Sequence, residues 1–291
     1  MTTRYADVHK TLQGLGDARP MALQVVRDEG LEGNWRAARF SALFTTGATL
    51  YLTARYPDKA KKALGDIAQS PRVHLLQLDL GPLGVMATPE GRTKDGFEIQ
   101  LGTNYLSHFL LFLLLRPALL AAASPQRNSR VIFLSSITHR YSEVVFEYIN
   151  LSGEYEKWKA YGQSKCALLW AANEIDRRCA SQGLRAFSVQ PGGIRTGLLQ
   201  YMSDEKNVLD SDLILGPEFK SPEQGAVTSV WGAVSRALEG TGGKYLEDAQ
   251  IAKAYDASEG QWAPGYFPHA YNLGEEKKLW EMSLNLVGEN E

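Results

Sequence analysis

The stretch Arg130-Val-Ile-Phe-Leu-Ser-Ser136, with Tyr161-Gly-Gln-Ser-Lys165 after it, decides how this chain is read. The first is an apolar run rich in β-formers that closes on two serines. It predicts a strand over 130–136 with Ser136 at its tip. The second lies inside a predicted helix, Trp158 to Cys179. A four-residue spacing puts Tyr161 and Lys165 on one helix face, a turn apart. An ammonium held near a phenol favours the phenolate and lowers the tyrosine pKa. Moving that pKa from about 10 to about 7 takes roughly 4 kcal/mol of differential stabilisation. A tyrosine tuned that way exchanges a proton with an alcohol or carbonyl near neutral pH. Ser136 can hydrogen-bond the same oxygen. By itself a Tyr-x-x-x-Lys pair is mostly a surface pair, so its context decides.

Strands and helices alternate on both sides of this stretch. Upstream, a short helical pattern runs from Met21 to Asp28 and a helix from Trp35 to Phe44. A strand over Ala48–Ala54 is followed by an amphipathic helix, Asp58 to Ile67, and a strand, Arg72 to Leu80. Residues 81–97 read as loop and Asn104 to Ala123 as a helix. Downstream come a strand over Leu184–Gln190, a helix started by Ser221-Pro-Glu-Gln224, a short strand at Lys244–Leu246 and a closing helix, Glu275 to Leu286. Alternation of this kind predicts a parallel sheet covered on both faces, an α/β fold.

Composition sets limits. The chain has 291 residues, 44% hydrophobic and 22% charged, enough for a large core. The elements span the chain, so one domain over 1–291 is expected. A net charge of −2 offers no basic field for nucleic acid. Cys166 and Cys179 cannot make a disulfide framework and read as core thiols. The five histidines show no metal-ligand spacing. The start, Met-Thr-Thr-Arg-Tyr-Ala-Asp, is polar and shows no signal peptide. The most apolar stretch, Phe109–Leu115, is too short to span a bilayer and reads as a buried helix. No membrane span is expected, and a cytoplasmic location follows by default.

Three further features stand in order with the first two. Asn104 lies in Gly102-Thr-Asn-Tyr-Leu-Ser-His-Phe-Leu-Leu111. Val189-Gln-Pro-Gly-Gly-Ile-Arg-Thr196 reads as a strand end and a turn, and Gly243-Lys-Tyr-Leu-Glu-Asp248 lies near the end. Together they resemble the short-chain dehydrogenase/reductase family, in particular its retinol-dehydrogenase-like and WW-domain-oxidoreductase-like members, abundant in fungal secondary metabolism. The resemblance implies a Rossmann-like sheet and catalytic roles for Ser136, Tyr161, Lys165 and Asn104. Asn104 would hold a water that joins the lysine to solvent. It also implies an NADP site: Arg55 at the 2′-phosphate, Asp79 near the adenine amine, Ile194 and Thr196 beside the nicotinamide amide, and Tyr161 and Lys165 at the nicotinamide ribose. The helices 104–123 and 158–179 resemble the pair that builds family dimers, so a homodimer is expected.

Two family segments are missing. The Thr-Gly-x-x-x-Gly-x-Gly turn that receives the cofactor diphosphate at a helix N-terminus is absent. Gly30 and Gly33 stand there instead and read as a surface loop. After Leu80 the chain passes through Gly81-Pro-Leu-Gly to Val85-Met86, without the family's helix, strand and Asn-Asn-Ala-Gly turn. The fold expected is therefore truncated, with its first and fourth strands missing, and NADP binding is expected to be weakened. Three functions compete: an NADP-dependent oxidoreductase, a cofactor-independent isomerase, dehydratase or cyclase, and an inactive truncated member. The apolar residues between Leu198 and Lys220 suit a hydrophobic small-molecule substrate.

Overall fold

The structure, a computed structural model, describes residues 4–14, 16–29, 50–54, 58, 61–62, 68–71, 73–77, 84–194, 198, 201 and 219–290. Strands β1 (Leu50–Ala54) and β2 (Val73–Gln77) pair in parallel, from Leu50 beside Val73 to Ala54 beside Gln77. A second sheet has the order β3 (Ser129–Leu134), β4 (Leu184–Gln190), β5 (Lys244–Glu247), β6 (Gln250–Ile251). Its first three strands are parallel and the last is antiparallel.

Among the described residues no strand joins the two sheets. In a doubly wound order of 3-2-1-4-5-6-7 the break lies between β1 and β3, where the first and fourth strands belong. Residues 4–29 do not fill it. They form a 3-10 turn at Asp7–His9 and helix α1 (Ala22–Asp28). The predicted helix Trp35–Phe44, with Gly30 and Gly33, lies outside the described residues. Of the predicted helix Asp58–Ile67, Asp58, Lys61 and Lys62 are described, and they are helical.

The sheet of β3 to β6 is covered on both faces. Side chains alternate along a strand, so β4 divides its residues between two cores. Leu184 and Ala186 enter a cluster with Phe109, Trp170, Ile175 and Trp280. Phe187 and Val189 enter a second with Val25, Val26, Val230 and Trp231. The first is built by α2 (Ile99–Ala121), α3 (Lys157–Cys179) and a closing helix, Leu273–Val287. The second is built by α1 and by helix Val227–Val234. Such two-sided burial leaves every residue of β4 but Arg185 buried, its polar Ser188 and Gln190 included.

Helix α2 starts earlier than expected, because the Glu98 carboxylate caps it by accepting from the backbone N–H groups of Gln100 and Leu101. It is also longer than the apolar run alone suggested. It has 23 residues, and an 18-residue window of it has a mean hydropathy of 1.4, enough by length and composition to cross a membrane. Only 28% of that apolar window is buried, which corrects the expectation of a buried helix. Phe109 and Phe112 pack edge-on against Trp280, while Leu114 is 65% exposed. In contrast, α3 is buried along most of its length, both cysteines included, and so has little face to offer a partner.

Candidate active site

The end of β3 and the start of α3 build the site. The Glu156 side chain caps α3 by accepting from Trp158 N and Lys159 N, which fixes where the helix begins. The strand is shorter than expected. Ser135 and Ser136 leave it, and Ser136 becomes the cap of a 3-10 turn, Ile137–Tyr141. The Ser136 hydroxyl oxygen accepts from Thr138 N at 3.2 Å. Its side chain also hydrogen-bonds the Tyr161 hydroxyl. With one lone pair taken by Thr138, the Ser136 hydroxyl keeps its proton and a second lone pair for the tyrosine hydroxyl, so either oxygen can donate.

Gly162 allows this contact. A Cβ there would lie 2.7 Å from the Thr138 carbonyl oxygen, so only a glycine lets α3 approach the turn this closely. On the same helix face the Lys165 ammonium lies 5.4 Å from the centre of the Tyr161 ring and donates to the Leu134 carbonyl at 2.8 Å. The serine before Ser136 ties the two elements again, its hydroxyl donating to the Lys165 carbonyl at 2.8 Å.

The electrostatics differ from the sequence expectation. Desolvation pushes the Tyr161 pKa above its ordinary value, and the Ser136 hydrogen bond only partly opposes this. Desolvation also brings Lys165 down to about 8. The lysine lies over the ring and is tied to a strand carbonyl, so it does not supply the expected lowering. Tyr161 in this state is a neutral acid with its proton in place.

Asn104 sits in a π-helical turn, Gly102–Leu106, inside α2. Such turns recur at functional sites. Its side chain accepts from Val85 N at 2.8 Å and donates to Val85 O and to the Ser164 hydroxyl, both at 2.9 Å. Ser164 in turn donates to the Tyr161 carbonyl at 2.8 Å. The Asn104 side chain thus clamps the Val85 segment to α3, and its hydrogen-bonding groups are engaged without a water. The Asn104 carbonyl takes a bond from His108. Burial, with Lys165 adding to it, holds that imidazole below its ordinary pKa.

Ile194 lies on the loop after β4, bridged to Lys220, and its side chain fills the space that a Cβ on Gly225 would need. Arg55, Asp79 and Thr196 lie outside the described residues. Ser136, Tyr161 and Lys165 are therefore brought together, and Asn104 is joined to them through Ser164. The sequence reading missed Thr138, Gly162, Ser164 and His108. Of these, only Gly162 carried a signal, a glycine inside a helix.

A parallel sheet with helices on both faces, and a Ser–Tyr–Lys group at the end of one strand, defines an α/β protein with an acid/base site at a sheet end. No family model matches the chain. It is 38% identical to short-chain dehydrogenase/reductase prx1 of Penicillium roqueforti, over 99% of this chain and 96% of that one. It is 34% identical to the polyprenol dehydrogenase of Homo sapiens, over 70% of this chain and 59% of that one. A solved short-chain type dehydrogenase/reductase from Mycobacterium marinum shares the fold, with a TM-score of 0.53 at 18% identity over 69% of this chain and 84% of that one. The chain belongs to the short-chain dehydrogenase/reductase family. The prx1 alignment runs over 327 positions against 291 residues here, so that relative carries stretches this chain lacks.

The described donors fit the ribose end of a nicotinamide dinucleotide, the cofactor class of the family. Lys165 has three N–H donors and one hydrogen bond among the described residues, which leaves donors for ribose hydroxyls.

Proposed function

We propose that this protein is an NADP-dependent oxidoreductase. It interconverts a carbonyl and a secondary alcohol on a hydrophobic small molecule, in secondary-metabolite biosynthesis. The observation that carries the reading is the Ser136–Tyr161 hydrogen bond with Lys165 beside the ring, at the C-terminal end of a parallel strand. Ligand clefts of open α/β sheets lie at such ends. When bound, the cofactor supplies or accepts the hydride. Tyr161 donates its proton to the carbonyl oxygen of the substrate, or takes one from the alcohol. Ser136 donates a hydrogen bond to the oxygen that gains charge. Lys165 holds the ribose.

The polyprenol dehydrogenase relative supports an apolar alcohol or carbonyl as substrate. We take 1–291 as one domain with a cytoplasmic setting. A second reading, acid/base chemistry without a cofactor, is favoured by the stretches the chain lacks relative to prx1. Purified protein is assayed with NADPH and a panel of apolar ketones and aldehydes, beside Tyr161→Phe. The variant should fold and lose at least about 10²-fold in turnover. Retention of a tenth of the wild-type rate would remove Tyr161 from the chemistry. Turnover that ignores NADPH selects the second reading.

A further inference from the structure

Directly behind Ser136 lies a fully buried imidazole, His139. Its Nδ1 is 2.7 Å from the Ser136 carbonyl oxygen. A carbonyl only accepts, so Nδ1 carries the proton. Its Nε2 is 3.3 Å from the Phe267 backbone N–H. That group only donates, so Nε2 is bare. Both partners select the same neutral tautomer. Burial agrees with them and holds the pKa down at about 3.

The ring is also fixed from the sides. Tyr245 packs against it edge-on at 4.9 Å and His269 at 6.0 Å. His269 Nε2 lies 2.8 Å from the His139 carbonyl, and the His269 carbonyl accepts from Trp170 Nε1 of α3 at 2.7 Å. The next residue, Arg140, donates to the carbonyls of Ala263 and Gly265. The turn that follows Ser136 is thus bound to residues 263–270 through both of these side chains.

We propose that His139 is a positioning residue for Ser136, a strut between the Ser136 carbonyl and the Phe267 amide. It makes the stretch 263–270 part of the scaffold that sets the Ser136–Tyr161 hydrogen bond. Ser136 holds an extended backbone, φ −165° and ψ 159°, while its hydroxyl accepts from Thr138 N. Without the strut the turn keeps its own His139 N–H bond to the Ser136 carbonyl and the Arg140 ties, but loses the side-chain anchor at Ser136. A small rotation there moves Thr138 N off the hydroxyl and turns the serine hydroxyl away from Tyr161. This inference rests on the proposed oxidoreductase reading for its kinetic consequence and stands on geometry for its structural one.

The test is a double-mutant cycle on the full chain. His139→Leu and His139→Asn are made in the wild-type and Ser136→Ala backgrounds. Asparagine keeps a donor at the Nδ1 position, so it also serves if leucine prevents folding. In the wild-type background, leucine should lower kcat by about 10-fold or more with KM nearly unchanged, and asparagine should restore most of the loss. In the Ser136→Ala background neither substitution should lower kcat further, because the residue acts through the serine. An equal loss in both backgrounds overturns the proposal and leaves His139 a packing residue. A second readout needs no turnover: the Tyr161 ring-carbon resonance next to the hydroxyl. In His139→Leu it should move toward its position in Ser136→Ala; in His139→Asn, which keeps the donor, it should stay near its wild-type position. An unmoved resonance in His139→Leu, or one in His139→Asn that moves as far as in Ser136→Ala, overturns the proposal. If the wild type turns over no carbonyl, the proposed function fails, and the resonance alone decides the role of His139.

Discussion

Replacing Gly162 with alanine isolates the contact on which the site depends. Two effects oppose each other. Alanine is a better helix former than glycine by about 1 kcal/mol, so a helix without tertiary contacts would be stabilised. Here the added Cβ would stand 2.7 Å from the Thr138 carbonyl, 3.2 Å from Ser142 N and 3.3 Å from the Tyr141 Cβ. The nearest of these is backbone, which cannot swing aside as a side chain tip can. Relieving it takes a shift of about 0.5 Å between α3 and the turn, and overpacking of this kind costs roughly 1–3 kcal/mol. The clash wins, by about 0–2 kcal/mol net destabilisation. The larger effect is on function. The shift opens the Ser136–Tyr161 hydrogen bond, and a misplacement of about 1 Å can cost 10²-fold, so about 10-fold in kcat is expected. Urea denaturation and steady-state kinetics measure the two together. A variant stabilised by about 1 kcal/mol with unchanged kcat would refute the reasoning, since the turn would then yield freely.

Asn104→Ala removes a clamp of three buried hydrogen bonds and should destabilise the fold by about 2–4 kcal/mol in urea titrations. A loss of activity at unchanged stability would instead make it a member of the chemistry. Lys165 has its folded pKa depressed to about 8, from an ordinary value of 10.5. Between these values the unfolded chain binds more protons than the folded one, so this group makes stability rise with pH over that window. The rise should shrink in Lys165→Met, as read by denaturation at pH 8 and at pH 10. Calorimetric titration should show weak NADPH binding, because the glycine-rich turn that supplies diphosphate donors is missing from the sequence. A sub-micromolar dissociation constant would mean that other donors, within residues 30–49 or elsewhere, replace it.

The sequence by itself determined the elements whose signals are local. Leu184–Gln190 was legible as a strand because a short run carrying Leu184, Phe187 and Val189 ends in Pro191-Gly192-Gly193, and the start at Ser221 because serine, proline and glutamine stand where a capping box needs them. The spacing of Tyr161 and Lys165 was enough to put them on one face. The hairpin that ends the sheet was not legible. Its turn residues Asp248 and Ala249 adopt φ of 51° and 54°, where glycine or asparagine is the usual signal.

The tertiary structure alone decided how the site is held and charged. Whether a lysine lowers a tyrosine pKa depends on where its ammonium rests and how much water is excluded, and neither is encoded in a four-residue interval. Here the ammonium is tied to Leu134 and the phenol is buried, so desolvation outweighs attraction. The residues that hold the site likewise come from afar: Asn104 reaches the Tyr161 carbonyl through Ser164, and Phe267 reaches the Ser136 carbonyl through His139. The Phe267 contact joins residues 128 positions apart in the chain. A hydrogen bond across that separation leaves no periodic trace, because its partners are chosen by packing after the chain has closed on itself.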